Sequence, residues 1–94
     1  MRWTLDQLQQ FVATAESGSF SEAARQLGKA QSAVSTAIGL LEADLGVELF
    51  DRTRRSARLT NAGEILLLEA QELMNQAQSL DKRAHSLSFG QDAK

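Results

Sequence analysis

From residue 61 to residue 87 or 88, apolar residues recur at alternating steps of four and three: Leu66, Ala70, Leu73, Ala77, Leu80, Ala84 and Leu87. A helix turns through about 100° per residue, so these positions share one stripe, and a repeat near 3.5 residues reads as a coiled-coil seam. The chain has no proline, so nothing in the run breaks a helix. At about 1.5 Å per residue it extends roughly 40 Å. The chain has 94 residues, and the part ahead of this helix has room for one modest core, too small to cover such a length. The seam therefore predicts a homodimer. In an antiparallel pair, Leu on one helix fills the space left by Ala on the other. Ile65, Leu67, Leu68 and Met74 lie off the seam, and some of them are expected to pack on the globular part. Residues 89–94 are expected to form a frayed tail.

Capping signals divide the preceding segment into three short helices. Thr4 caps the first, over residues 5–17, with Gln7 at the reciprocal capping-box position and Leu5, Leu8, Phe11, Val12 and Ala15 as its apolar stripe. Gly18 stops it. Ser19 caps the second, with Glu22 at the capping-box position and Ala23, Ala24 and Leu27 facing inward, and Gly28 ends it. The third follows after a short turn, buries Val34, Ala37, Ile38, Leu41 and Leu45, and stops at Gly46. Its opposite face carries Ser32, Ser35, Thr36 and Gly39. Exposed helix faces ordinarily carry Glu, Lys and Gln, so a face this small points to something that approaches closely. Two short strands are expected at residues 48–52 and 57–60, with Thr53, Arg54, Arg55 and Ser56 as a hairpin tip. Thr60 caps the long helix.

The formal net charge of −2 argues against nucleic acid when taken alone. Its distribution argues the other way. Arg52, Arg54, Arg55 and Arg58 gather with only Asp51 beside them, and no acid lies between Ala23 and Leu41, where Arg25 and Lys29 sit. A small basic face on an acidic body suits a phosphate partner. There is no cysteine, hence no disulfide, thiolate metal site or cysteine nucleophile. The one histidine, His85, cannot form a metal cluster and reads as an exposed helix residue. With no glycine-rich phosphate loop or serine nucleophile motif either, an enzyme is not expected. No apolar run approaches the roughly 20 residues of a membrane span, no signal peptide is visible, and a cytoplasmic protein is expected.

Two helices joined at Gly28, the second with a small polar outer face, match a helix-turn-helix, and an arginine hairpin directly after it matches a wing. The ordered set Leu8, Phe11, Ser19, Phe20, Ala23, Ala24, Leu27, Gln31, Ala33, Val34, Ser35, Ile38, Leu41, Glu42, Leu45, Gly46, Leu49, Phe50, Arg52, Leu59, Thr60, Ala62 and Gly63 resembles the N-terminal domain of LysR-type transcriptional regulators. The resemblance covers nearly the whole chain. It implies a mainly α fold: a winged helix-turn-helix over residues 1–60 (helix-turn-helix about 20–39, wing about 48–60), then a linker and dimerisation helix over 61–88. It implies sequence-specific binding of duplex DNA at an inverted repeat, by a dimer with antiparallel linker helices, and tetramers at full length. A small-molecule inducer would bind the effector domain that normally follows; no cofactor is expected in this segment. That domain is absent here, and a chain cut at the linker is the preferred account over a naturally short one.

By the same resemblance, Gln31 reaches a base edge and Ser35 lies near phosphate or base. Ser32 and Thr36 share that face, and Thr36 offers a methyl to thymine. Arg52 lies near the DNA backbone, Arg54 and Arg55 form the wing tip, and Arg58 either joins them or balances nearby acids. Three positions depart from the family pattern. Ala30 replaces a frequent Ser and loses a cap, Ser32 replaces a frequent Pro and could cap from a shifted start, and Gly39 replaces a long, often basic residue. The alternative reading is a protein-interaction winged helix with a coiled-coil dimer arm and no DNA role.

Overall fold

A computed structural model describes residues 1–89. Local capping chemistry sets its boundaries. Thr4 Oγ1 accepts from Gln7 N at 3.1 Å and Gln7 Oε1 accepts from Thr4 N at 3.0 Å, closing a capping box at the head of α1, Leu5–Ser17. Ser19 Oγ accepts from Glu22 N at 3.1 Å and starts α2, Phe20–Leu27. The reciprocal half of that second box is missing. The Glu22 carboxylate turns to Arg25 and Gln26 instead, and Ser19 N donates to Ser17 Oγ. Gly28, at φ 67°, makes the sharp turn into α3, Gln31–Leu45. A residue with a Cβ would be strained at that left-handed φ. Ala30 stands at the head of α3 with no side-chain cap, and Ser32 does not replace it. The long helix is α4, Asn61–Ser88, capped by Thr60 Oγ1 accepting from Gly63 N at 2.9 Å.

The core forms where α1, α2, α3 and the root of α4 meet. Leu8, Phe11, Ala24, Val34, Ile38, Leu41, Leu49, Phe50 and Ala70 are all buried in it. Leu5, expected on the inner stripe of α1, is 46% exposed, while Gln10 and Thr14 are buried in that helix. Phe50 ties the loop after α3 to the helices. Its ring meets Phe11 edge-on at 5.7 Å and Phe20 at 5.2 Å. At the start of α4, Gly63 lies against the Leu49 backbone so closely that a Cβ would overlap the Leu49 carbonyl.

The expected two-stranded wing is corrected to a loop with one antiparallel bridge, Phe50 to Leu59; no longer strand occurs among the described residues. Asp51 N donates to Arg58 O at 2.7 Å and Thr60 N to Leu49 O at 3.0 Å. Several neighbouring donors point elsewhere. Leu49 N and Phe50 N donate to the Glu42 carboxylate, Thr53 N to the Asp51 carboxylate, and Ala57 N to Gly18 O.

The α4 seam divides. Ala70 is buried and Leu66 packs against the core, covered by α1. Beyond them Leu73 is 40%, Leu80 72% and Leu87 55% exposed. Ala77 is half-buried and Ala84 exposed. Of the off-seam residues, Leu67 and Met74 pack on the body, whereas Ile65 and Leu68 face solvent. The far half of α4 projects, so the molecule measures 56 Å by 25 Å by 20 Å. The expected frayed tail, apart from Phe89, lies outside the described residues.

Candidate nucleic-acid interface

Burial of Val34, Ile38 and Leu41, each wholly inaccessible, fixes which side of α3 faces outward. Gln31, Ser32 and Thr36 are exposed, and Ser35 and Gly39 are half-buried at the margin. Along its length α3 carries no lysine or arginine. Gly39 adds to the smoothness, since a Cβ there would meet nothing within 4 Å. The face is a low ridge of hydroxyls, a methyl and one amide, shaped to enter a groove without a charged side chain in the way.

Positive charge flanks that ridge. At one end, Lys29 Nζ lies 4.0 Å from Asp6 Oδ2, and Arg25, 74% exposed, is held by Glu22. That hydrogen-bonded ion pair, with the Arg25 charge behind it, holds the Glu22 carboxyl below its ordinary range and raises the Arg25 guanidinium. At the other end, the loop after α3 exposes Arg54, Arg55 and Arg58. Arg54 Nε sits 3.6 Å from Asp51 Oδ2, a solvent-screened contact. Arg55 and Arg58 make no ion pair among the described residues.

Asp51 shapes the loop. Its Oδ1 accepts from Thr53 Oγ1 at 2.6 Å and from Thr53 N at 3.0 Å, a side-chain-closed turn. Those two bonds, with the charges of Arg54 and Arg58 behind them, hold the Asp51 carboxyl below the usual range.

Arg52 does not stand with the other arginines. Its Nη2 donates to Glu42 Oε1 at 2.8 Å, and its guanidinium carbon lies 5.4 Å from the centre of the Phe20 ring. Sequence reasoning placed Arg52 near DNA and gave Glu42 no site role. Glu42 is seven and eight residues from the two backbone donors it accepts, a pairing that periodicity does not reveal. The structure thus gathers Gln31, Ser32, Ser35 and Thr36 on one face and Arg54, Arg55 and Arg58 on one loop, with Arg52, 44% exposed, paired to Glu42 between the two.

These elements define a helix-turn-helix module with an arginine-bearing loop and a long projecting helix. The model of the bacterial regulatory helix-turn-helix proteins of the lysR family matches residues 5–64. The chain is 42% identical over 85 residues to the HTH-type transcriptional regulator AceR of Acinetobacter baumannii, covering 90% of this chain and 29% of that protein. A cysteine mutant of Corynebacterium glutamicum OxyR superposes with a TM-score of 0.86 at 40% identity, over 92% of this chain and 28% of that one. The CbnR_DBD–DNA complex superposes with a TM-score of 0.81 at 34% identity, over 90% of this chain and 98% of that one.

The chain belongs to the LysR family of bacterial regulatory helix-turn-helix proteins. It spans only about a third of the length of curated relatives such as TfdT of Cupriavidus pinatubonensis, 37% of which it covers.

Proposed function

We propose that this chain is the DNA-reading end of a transcriptional regulator that binds duplex DNA as a homodimer. The observation that carries this is the uncharged outer face of α3 flanked by exposed cations on α2, the α2–α3 turn and the loop. Placed in a major groove, α3 sets Gln31 where its amide donates to and accepts from adenine, a bidentate contact worth about 1–3 kcal/mol of discrimination. Ser32 and Ser35 contact base edges or phosphate, and the Thr36 methyl meets thymine. Arg54 and Arg55 reach the flanking backbone or minor groove, joined by Arg58, and supply the salt-dependent, sequence-blind share of binding.

Dimerisation uses the projecting half of α4, with Leu73, Ala77, Leu80, Ala84 and Leu87 against the same stripe of an antiparallel partner. Leu66 and Ala70, on the same stripe, are taken up by the body instead, at the edge of an apolar groove of about 430 Å³ that Trp3, Leu8 and Leu45 also line. Two-fold symmetry then calls for an inverted-repeat site, and the family resemblance implies a T and an A bracketing its central spacer. In the whole regulator an effector domain follows α4 and takes a small-molecule inducer, tetramers assemble, and the protein works in the cytoplasm. No helix among the described residues is long and apolar enough to cross a membrane.

Selection of genomic fragments by this domain at moderate salt, followed by sequencing, tests the reading. An enriched inverted repeat with a steep salt slope is the expected result. Absence of any salt-sensitive binding would overturn it in favour of a protein-interaction role.

A further inference from the structure

Glu42 is three residues from the end of α3 and 12% exposed, and both of its oxygens are in use. Oε2 accepts from Leu49 N at 2.7 Å and from Phe50 N at 3.2 Å, and Oε1 accepts from Arg52 Nη2 at 2.8 Å. One carboxylate on the groove-entering helix therefore holds the chain that leads into the arginine loop. The bracket extends further. The Arg52 guanidinium lies over Phe20, the first residue of α2, and Phe20 packs on Phe50. The loop is also held by Leu49 and Phe50 in the core, by one bridge and by Ala57 N donating to Gly18 O, but among the described residues its only hydrogen bonds to α3 are those to Glu42. By contrast, α3 itself is seated by Val34, Ile38 and Leu41, each wholly buried.

We propose that Glu42 is a positioning residue for DNA binding: through Leu49, Phe50 and Arg52 it sets where the arginine loop stands relative to the outer face of α3. This rests on the DNA-binding reading above. The major groove and the backbone beside it are a fixed distance apart, so a reader that uses both must hold its two contacting elements at a matching distance. Supporting hydrogen bonds commonly hold functional constellations to within about 0.5 Å. Glu42 provides that support directly from the helix that enters the groove. Arg52 acts within the same bracket, so its role is to hold the loop rather than to add another phosphate contact.

A double-mutant cycle tests this on the 94-residue chain, with a mixed-sequence DNA duplex as the probe and binding measured by anisotropy across a salt series. The Glu42→Gln variant keeps one oxygen for the two backbone donors and loses the ionic partner of Arg52. In the parent chain, Arg54→Ala with Arg55→Ala should lower the salt slope by about two units per bound protomer, one per lost phosphate contact. In the Glu42→Gln background the same pair should lower it by less than about half as much, because the loop no longer meets the backbone. Circular dichroism melts of each variant establish that all are folded at the binding temperature; Arg52→Gln, which removes the same ion pair from the other side, supplies the cycle if Glu42→Gln is not.

A full two-unit effect of the arginine pair in the bracket-deficient background would overturn the proposal and leave Glu42 a stabilising role only. No effect of the arginine pair in the parent chain would instead overturn the loop's assignment to DNA, and this proposal with it.

Discussion

At the residue scale, Gln31 is the one side chain on the outer face of α3 that both donates and accepts through a planar amide. Gln31→Ala should flatten base preference by about 1–3 kcal/mol at one position per half-site while leaving most sequence-blind affinity in place. Competition between matched and single-substituted duplexes measures it, and an unchanged preference removes Gln31 from the readout. Asp51 carries a pH dependence. Its carboxyl titrates below the ordinary aspartate value of about 3.9 because it accepts from Thr53. A depressed folded value means that this turn contributes its full stability above the unfolded value and loses it as pH falls through the lower folded one. Amide exchange at Thr53, corrected for intrinsic rate, should therefore be constant above about pH 5 and lose protection only in stronger acid. Loss of protection near neutrality would contradict the turn. The Gln31 face was legible from the sequence because burial on a helix repeats with a fixed angle. The tie between Arg52 and Glu42 was not, because it depends on how the chain returns to α3 after Gly46.

At the element scale, local chemistry sufficed for the helices. Thr4, Ser19 and Thr60 each cap where expected, and Gly18, Gly28 and Gly46 each end a helix. The two strands expected after α3 shorten to a single antiparallel bridge: β-strand patterning counts side chains, whereas the donors of Leu49 and Phe50 go to a carboxylate from another element. Helix α3 is locally weak, with an uncapped start at Ala30 and Gly39 in its interior. Ala30→Ser should add about 1 kcal/mol by supplying a cap. Gly39→Ala should add about 0.5–1 kcal/mol, since a Cβ there meets open space. Urea unfolding measures both, and no gain from either would mean that α3 takes its stability wholly from tertiary packing.

At the scale of the whole molecule, α4 belongs to two structures at once. Its root is core, through Ala70, Leu66 and Leu67, and its far half presents Leu80 and Leu87 to solvent. Leu80→Asp with Leu87→Asp should convert dimer to monomer in sedimentation velocity, while circular dichroism shows the body still folded. Retention of the dimer would move the interface elsewhere on the chain. The heptad repeat revealed the seam but not its division, because periodicity marks which residues share a stripe and cannot say which length of that stripe the body already covers.

The division also has a mechanical consequence. Past Gly63 the described part of α4 holds neither proline nor glycine, and sharp helix kinks occur almost always at such residues, at π-bulges or where something inserts into the hydrogen-bond ladder. The uninterrupted far half of this helix, roughly 20 Å long, projects from the helix-turn-helix body and behaves as a lever. A tilt of about 10° where it leaves the body sweeps the far end through about 4 Å, close to one base-pair step. The spacing between two half-sites would then be a length gauged by the crossing angle of two rods, and whatever turned that angle would change the operator the pair can straddle.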